Sequence, residues 1–177
     1  MAVSEERMAG VLREATVRDV DSIVALLRDY AEQGLLLPRT RQSVLEILPS
    51  FRVIDVAGKV QGVVSLCILG DDLAEIRSLA VAPEAQGGGL GKRLVQAMLA
   101  YAADLQVPKV LALTYQEAFF ARCGFHIVEK HTLHQKIWKD CINCKKFPVC
   151  DEIAMIYEMG VSGAAGSPAD AGVNVEA

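Results

Sequence analysis

Gln86-Gly87-Gly88-Gly89-Leu90-Gly91 follows the strand-like run Glu75-Ile76-Arg77-Ser78-Leu79-Ala80-Val81 and opens a helix-like run from Leu90 to Leu105. Glycines between a strand and a helix leave backbone N–H groups free to turn toward one ligand. The first turn of the helix adds its own unpaired donors and the positive end of its dipole. Such a turn is an anion cradle, suited to a phosphate or pyrophosphate. A glycine triplet alone reads as a flexible turn. The strand before it and the helix after it favour the phosphate site.

Two phosphate-loop patterns fail here. A P-loop needs Gly-Lys followed by Ser or Thr, and Gly91-Lys92 is followed by Arg93, so the magnesium-binding hydroxyl is missing. A dinucleotide fingerprint forced through Gly87 to Gly91 puts its third glycine on Lys92 or Arg93, with no first βαβ strand in place. The pattern that does fit is Gln-x-x-Gly-x-Gly, Gln86 to Gly91, after Leu79-Ala80-Val81-Ala82-Pro83. In this the chain resembles the acetyl-CoA signature of the GNAT acetyltransferase superfamily. The resemblance implies an α/β fold with a mixed central sheet, splayed at a β-bulge and flanked by helices on both faces. It also implies that acetyl-CoA is the cosubstrate. The residues expected to bind it are Leu79, Val81, Gln86, Gly87, Gly88, Gly89, Leu90, Gly91, Lys92 and Phe120.

The remaining composition narrows the partners. A length of 177 residues is one domain's worth. A net charge of −4 offers no basic excess to neutralise nucleic-acid phosphates. Met1 to Arg13 is charged and lacks the apolar run of a signal peptide. The longest apolar segment, Val60 to Leu69, is strand-length, so no membrane span is expected. These features predict a cytoplasmic protein whose five cysteines are reduced or metal-bound rather than paired in disulfides.

Along the chain, residues 1–10 read as a flexible terminus, 11–159 as the acetyltransferase domain, and 160–177 as a disordered Gly, Ala, Ser and Pro-rich tail. Val11 to Val17 predicts a first strand, with Asp19 placed to cap a helix. Ile23, Leu26, Leu27, Tyr30 and Ala31 give that helix an apolar face, and Gly34 ends it. Thr40 is expected to cap a second helix. Phe51 to Val56 and Val60 to Leu69 predict a hairpin turning at Ala57-Gly58-Lys59. In the next strand Ile76 and Ser78 share one face but Leu79 and Val81 take the other, a change of phase that suggests a bulge. Leu90, Leu94, Met98 and Leu105 mark the buried stripe of the following helix. Val110 to Tyr115 reads as a buried strand, Gln116 to Cys123 as a short helix, and Phe125 to Glu129 as a returning strand.

From about Leu12 to Tyr157 the resemblance is sharper. Gly34-Leu35-Leu36-Leu37-Pro38-Arg39, Ala74 to Val81, and Leu113-Thr114-Tyr115-Gln116-Glu117-Ala118-Phe119-Phe120 with Cys123-Gly124-Phe125 are similar to the acetyltransferase domains of N-acetylglutamate synthases. The length matches the short bacterial form. This implies transfer of acetyl to the α-amino group of L-glutamate, the first step of arginine biosynthesis. Glu75, on the strand beside the cofactor loop, is placed to take the amine proton directly or through a water, and the matching glutamate has that role in the resembling enzymes.

Many GNAT enzymes carry a tyrosine five residues before the phenylalanine of Gly124-Phe125, as acid to the coenzyme A sulfur; here that position is Phe120. The resemblance moves this hydroxyl role to Thr114, with Tyr115 the alternative if the register differs by one. It also assigns Arg39 to the side-chain carboxylate of glutamate and Lys136 to the α-carboxylate, with Arg77 as a second possibility. Arg41 reads as a solvated charge. Two other readings stay open: a GNAT enzyme for another small amine or a protein N-terminus, and an acetyl-CoA-binding sensor without turnover. The oligomeric state is open too, a homodimer among the options.

Cys141-x-x-Cys144-x5-Cys150 is a compact trio. Zinc takes four thiolate or imidazole ligands, so a zinc site would need a fourth group, His134 or His131. Reduced thiols or a redox pair are the competing readings. Cys67 and Cys123 sit in apolar patterns and are expected in the core.

Overall fold

In the computed structural model, residues 10–134, 141–144 and 149–160 are described. They build one seven-stranded sheet. In chain order the strands are β1 (Val11–Glu14), β2 (Phe51–Val56), β3 (Lys59–Gly70), β4 (Leu73–Val81), β5 (Lys109–Thr114), β6 (His126–Ile127) and β7 (Ile153–Glu158). Their spatial order is β1-β2-β3-β4-β5-β7-β6. Every neighbouring pair is antiparallel except β4 with β5, which run parallel. The helices are α1 (Val20–Glu32), α2 (Arg41–Glu46), α3 (Leu90–Asp104) and α4 (Glu117–Arg122).

The sheet carries a core on each face. On one side α3 buries Leu90, Leu94, Met98 and Ala102 against Ile54, Val64, Ala74 and Ile76. On the other, α1 and α2 bury Ile23, Leu27 and Val44 against Phe51, Val53 and Val63. Each fully buried Leu, Ile or Met of this kind contributes about 1.5–3 kcal/mol by leaving water.

The phase change along β4 is a bulge. Ser65 of β3 pairs with Arg77 and Val63 with Ala80, so β4 carries one residue more than its partner. Ser78 takes the extra turn with φ +54°, a left-handed conformation that costs a residue with a β-carbon energy. The buried Ser65 hydroxyl donates to the Arg77 carbonyl at 3.1 Å, beside the bulge. Before it, Ala74 and Ile76 face α3; after it, Leu79 and Val81 pack on that side and Ala80 turns toward α1.

Local signals decide several boundaries. Ala57 and Gly58 both have positive φ, the two-residue turn that matches strand twist in a hairpin. Thr40 accepts from the Ser43 N–H at 3.1 Å and starts α2. Asp19 behaves differently from the expected helix cap. Its carboxylate turns back to accept from the Thr16 N–H at 2.7 Å and from both terminal nitrogens of Arg13 at 2.8 Å. Arg13 also reaches Asp55 at 2.9 Å, tying the β1 end to β2. The Arg13 guanidinium holds the Asp19 carboxyl down at about 2.

Other expectations shift. β1 ends at Glu14, three residues short of the predicted end. The Ala15 N–H still donates to the Phe51 carbonyl at 3.2 Å, but Thr16 then leads into the single turn Val17–Asp19, which leaves Val17 61% exposed. Leu105 lies past the end of α3 and is 45% exposed, so Ala102 closes the buried stripe in its place. Cys67 is partly exposed rather than a core residue, whereas Cys123, also partly exposed, packs against the core on the α3 side. Burial still pushes the Cys123 thiol up. The two termini expected to be flexible lie, apart from Gly10 and Gly160, outside the described residues. Among the described residues no helix is long and apolar enough to cross a membrane.

Candidate active site

β4 and β5 pair only from Leu73–Lys109 to Glu75–Leu111. Beyond Glu75 they part, and the β5-facing edge of β4 runs on to Val81 without a described strand beside it. The gap opens a cleft of ≈ 510 Å³. Its walls are Glu75 to Leu79 of β4, Leu113 and Thr114 of β5 with Tyr115 and Gln116 beyond, and the Leu35–Arg39 loop after α1. Phe119 and Phe120 of α4 and the chain around Lys130 and Cys150 complete it.

Glu75 is 4% exposed, and Arg77 Nε donates to its Oε2 at 2.6 Å. The two residues are two apart on one strand and so share a face. A buried carboxylate needs such a partner, because desolvating an unpaired charge is costly. Thr114 is 7% exposed. Its Oγ1 accepts from the Gln116 N–H at 2.8 Å, which leaves its own O–H able to donate. The Tyr115 hydroxyl donates to Asp151 Oδ1 at 2.7 Å, so the neighbouring alternative already spends its proton on a carboxylate. Arg39 lines the cleft, whereas Arg41 pairs with Asp21 in solvent at 3.0 Å.

The glycine-rich turn meets the start of α3. Gly87 and Gly89 have φ +80° and +79°, and their Cβ positions face open space. Gly89 caps the 15-residue α3 without a side-chain hydrogen bond to the first turn. Exposed glycine backbone, left-handed turns and helix-start donors together fit a pyrophosphate. Gly91 answers to packing: a Cβ there would stand 3.3 Å from the Phe119 ring. Leu90 buries its side chain in the core, so only its backbone belongs to the turn. Lys92 is exposed on the first turn of α3. Leu79 reaches the cleft; Val81 does not line it. Phe120 is a buried edge-to-face partner of Phe119 and Phe125, with part of its surface at the cleft.

Sequence reading placed Tyr30 on the core face of α1, offered His131 only as a metal ligand, and missed Lys130 and Glu152; all four line the cleft. Lys130 Nζ donates to the Cys150 carbonyl at 2.7 Å. Lys136 lies outside the described residues. Cys144 and Cys150 reach the cleft wall as free thiols and His134 is exposed, while nothing is described of the Cys141 side chain. Among the described residues no three His, Cys, Asp or Glu side chains form a group able to hold a metal ion.

The geometry is a cleft set in a splayed mixed sheet, with a glycine-rich turn at the start of α3. The Acetyltransferase (GNAT) family model matches residues 22–125. The chain belongs to the GNAT acetyltransferase family. It is 39% identical over 145 residues to an uncharacterised N-acetyltransferase of Chlorobaculum tepidum, covering 82% of this chain and 94% of the relative. It is 34% identical over 155 residues to the amino-acid acetyltransferase of Mycobacterium tuberculosis, covering 86% and 82%. A crystal structure of a Mycobacterium tuberculosis protein in complex with CoA superposes with TM-score 0.75 at 31% identity, over 84% of this chain and 99% of that one. The N-acetylglutamate synthase of Neisseria gonorrhoeae, complexed with coenzyme A and N-acetyl-glutamate, matches with TM-score 0.73 at 27% identity. The match covers 84% of this chain and 34% of the synthase.

Proposed function

We propose that this acetyltransferase moves the acetyl group of acetyl-CoA to the α-amino group of L-glutamate, the opening reaction of arginine biosynthesis. The observation that carries the reading is the meeting of Glu75, Arg77, Arg39 and Thr114 on one cleft at the splay of β4 from β5. A buried carboxylate held by Arg77, with Arg39 on the cleft wall, suits an acidic amino acid that must give up a proton. The similarity to an amino-acid acetyltransferase across most of both chains supports the same acceptor class.

In this reading acetyl-CoA supplies the thioester, with its pyrophosphate on Gln86 to Gly91 and its arm along the β5-facing edge of β4 beyond Glu75. Glu75 accepts the ammonium proton, directly or through a water, because an amine attacks only with a free lone pair. Arg77 holds the receiving carboxylate in place. Arg39 offers a planar, two-pronged donor to the side-chain carboxylate of the acceptor. Thr114 turns its O–H toward the departing sulfur. A C–N bond forms as the C–S bond breaks, and nitrogen gives up two protons: the first passes through Glu75 to solvent, and the second, lost after the attack, balances the proton the released thiol carries.

The test is an acceptor panel with acetyl-CoA, reading free thiol and the acetylated product. L-Glutamate should outpace glutamine, aspartate, lysine and N-terminal peptides. Preference for another amine would remove the glutamate reading and leave family membership intact. Stoichiometric CoA binding with no acceptor turned over would favour a sensor.

A further inference from the structure

Tyr30 lines the cleft and touches three other segments of the chain. Its hydroxyl donates to the carbonyl of Val81, the last residue of β4. The same oxygen accepts from Gln86 Nε2 at 2.7 Å, at the first residue of the glycine-rich turn. One donor bond and one accepted bond use the phenol in both of its roles. Between those two anchors lies the short turn Pro83–Ala85, so the phenol ties down both ends of the approach to the anion cradle. The main chain of Tyr30 serves a different segment: its carbonyl accepts from the Leu35 N–H at 3.0 Å. Leu35 opens the loop that ends at Arg39 on the cleft wall.

We propose that Tyr30 is a positioning residue that couples the cofactor turn to the acceptor loop, and that Gln86 acts through it rather than by touching the cosubstrate with its own amide. Glycine backbone at Gly87 to Gly89 gains no rigidity from side chains. An anion cradle made of such residues binds well only when its ends are held, because ordering it at the moment of binding costs conformational entropy. Tyr30 supplies the hold from α1, a helix packed on the opposite face of the sheet from α3. The inference rests on the acetyl-CoA reading of the turn.

The experiment is a double-mutant cycle read by calorimetric titration with CoA. Tyr30→Phe removes only the hydroxyl, and Gln86→Met removes the amide while keeping its length. Each single variant should weaken CoA binding about five- to tenfold, the usual worth of a lost hydrogen bond. The double variant should be no weaker than Tyr30→Phe alone, because losing the hydroxyl already cuts the link that Gln86→Met removes. In steady state Tyr30→Phe should also raise the KM for the acceptor, with kcat changed much less. Additive losses would show that Gln86 contacts the cosubstrate independently, and would overturn the inference. Wild-type affinity in Tyr30→Phe would overturn it as well. Should Tyr30→Phe not fold, Gln86→Met on the exposed turn decides, and unchanged CoA affinity there is fatal. A wild-type protein that binds no CoA removes the reading of the turn, and the inference with it; that result is distinct from wild-type binding left unmoved by the variants.

Discussion

Arg77 Nε stands 2.6 Å from Glu75 Oε2, with one residue between them on β4 and both at the mouth of the splay. The pair lies just before the bulge at Ser78, whose extra residue releases β4 from its regular register. Glu75 is the last residue of β4 still paired with β5. Its backbone is held by the sheet while its side chain lines the cleft. That is a fixed mounting for a group that must meet an amine at hydrogen-bond distance.

Two substitutions separate charge from chemistry in this pair. Glu75→Gln keeps the volume and removes proton acceptance, so kcat should fall by roughly 10²-fold with CoA affinity near wild type. Arg77→Met leaves the buried carboxylate short of a partner and should lower stability by about 1–3 kcal/mol, scaled down because Arg77 is partly exposed. Urea unfolding and steady-state assays read the two effects. Normal turnover in Glu75→Gln would leave the glutamate a structural role only.

Gly89 should tolerate no side chain, for a reason of backbone and not of space. Its φ of +79° disfavours any β-carbon, although nothing stands within 4 Å of where that atom would lie. Gly89→Ala should cost about 1–2 kcal/mol and weaken CoA binding. Gly88→Ala, with its nearest neighbour at 3.6 Å and no positive φ, should be close to neutral in stability. Thermal melts and CoA titration on both variants make the comparison, and equal melting temperatures would refute it.

Asp19 gives the fold a pH dependence of known sign. Its carboxyl is held at about 2, down from 3.8, first by hydrogen bonds from Arg13. A depressed carboxyl contributes stability that is present above the unfolded value and fades as pH falls through the folded one. The contribution should therefore be whole at about pH 5 and shrink from near pH 4 toward about pH 2. It amounts to about 1–2 kcal/mol, discounted because solvent reaches the Arg13 guanidinium. Asp19→Asn should be less stable than wild type by that amount at neutral pH, and the gap should narrow across the acidic window. Denaturant midpoints at a series of pH values measure it; a constant gap would mean that the charge is not the source.

Arg39 and Arg41 are a matched pair two residues apart, one on the cleft wall and one paired with Asp21 in solvent. Arg39→Ala should raise the KM for glutamate and reduce the glutamate-to-glutamine ratio of kcat/KM, because a charge-assisted bidentate contact to a carboxylate is stronger than the contact a neutral amide can make. Arg41→Ala should change neither by more than about twofold, as an exposed ion pair is worth little. An intact ratio in Arg39→Ala would move the carboxylate site elsewhere in the cleft.

The sequence by itself determined the elements whose cause is local. Gln86 to Gly91 between a strand and a helix announces the anion turn because glycine alone adopts positive φ freely, and Gly87 and Gly89 do so. The change of apolar phase at Ser78 announces the bulge because strand faces alternate with period two. Thr40 and the Ala57-Gly58 pair announce a helix start and a hairpin for equally short-range reasons. The tertiary structure alone decided which side chains meet. Tyr30 has the spacing of a core residue on α1, and nothing in its own segment shows that its hydroxyl reaches Gln86, 56 positions away. Asp19 carries the signal of a helix cap, yet Arg13 from the end of β1 draws it into an ion pair. Lys130 reaches the cleft wall because the chain before it runs beside β7, where the Val128 N–H donates to the Ala154 carbonyl, a contact that no periodicity encodes. Periodicity tells each element which face to bury; how the buried faces stack, and so which polar ends converge, is settled by packing between segments far apart in the chain.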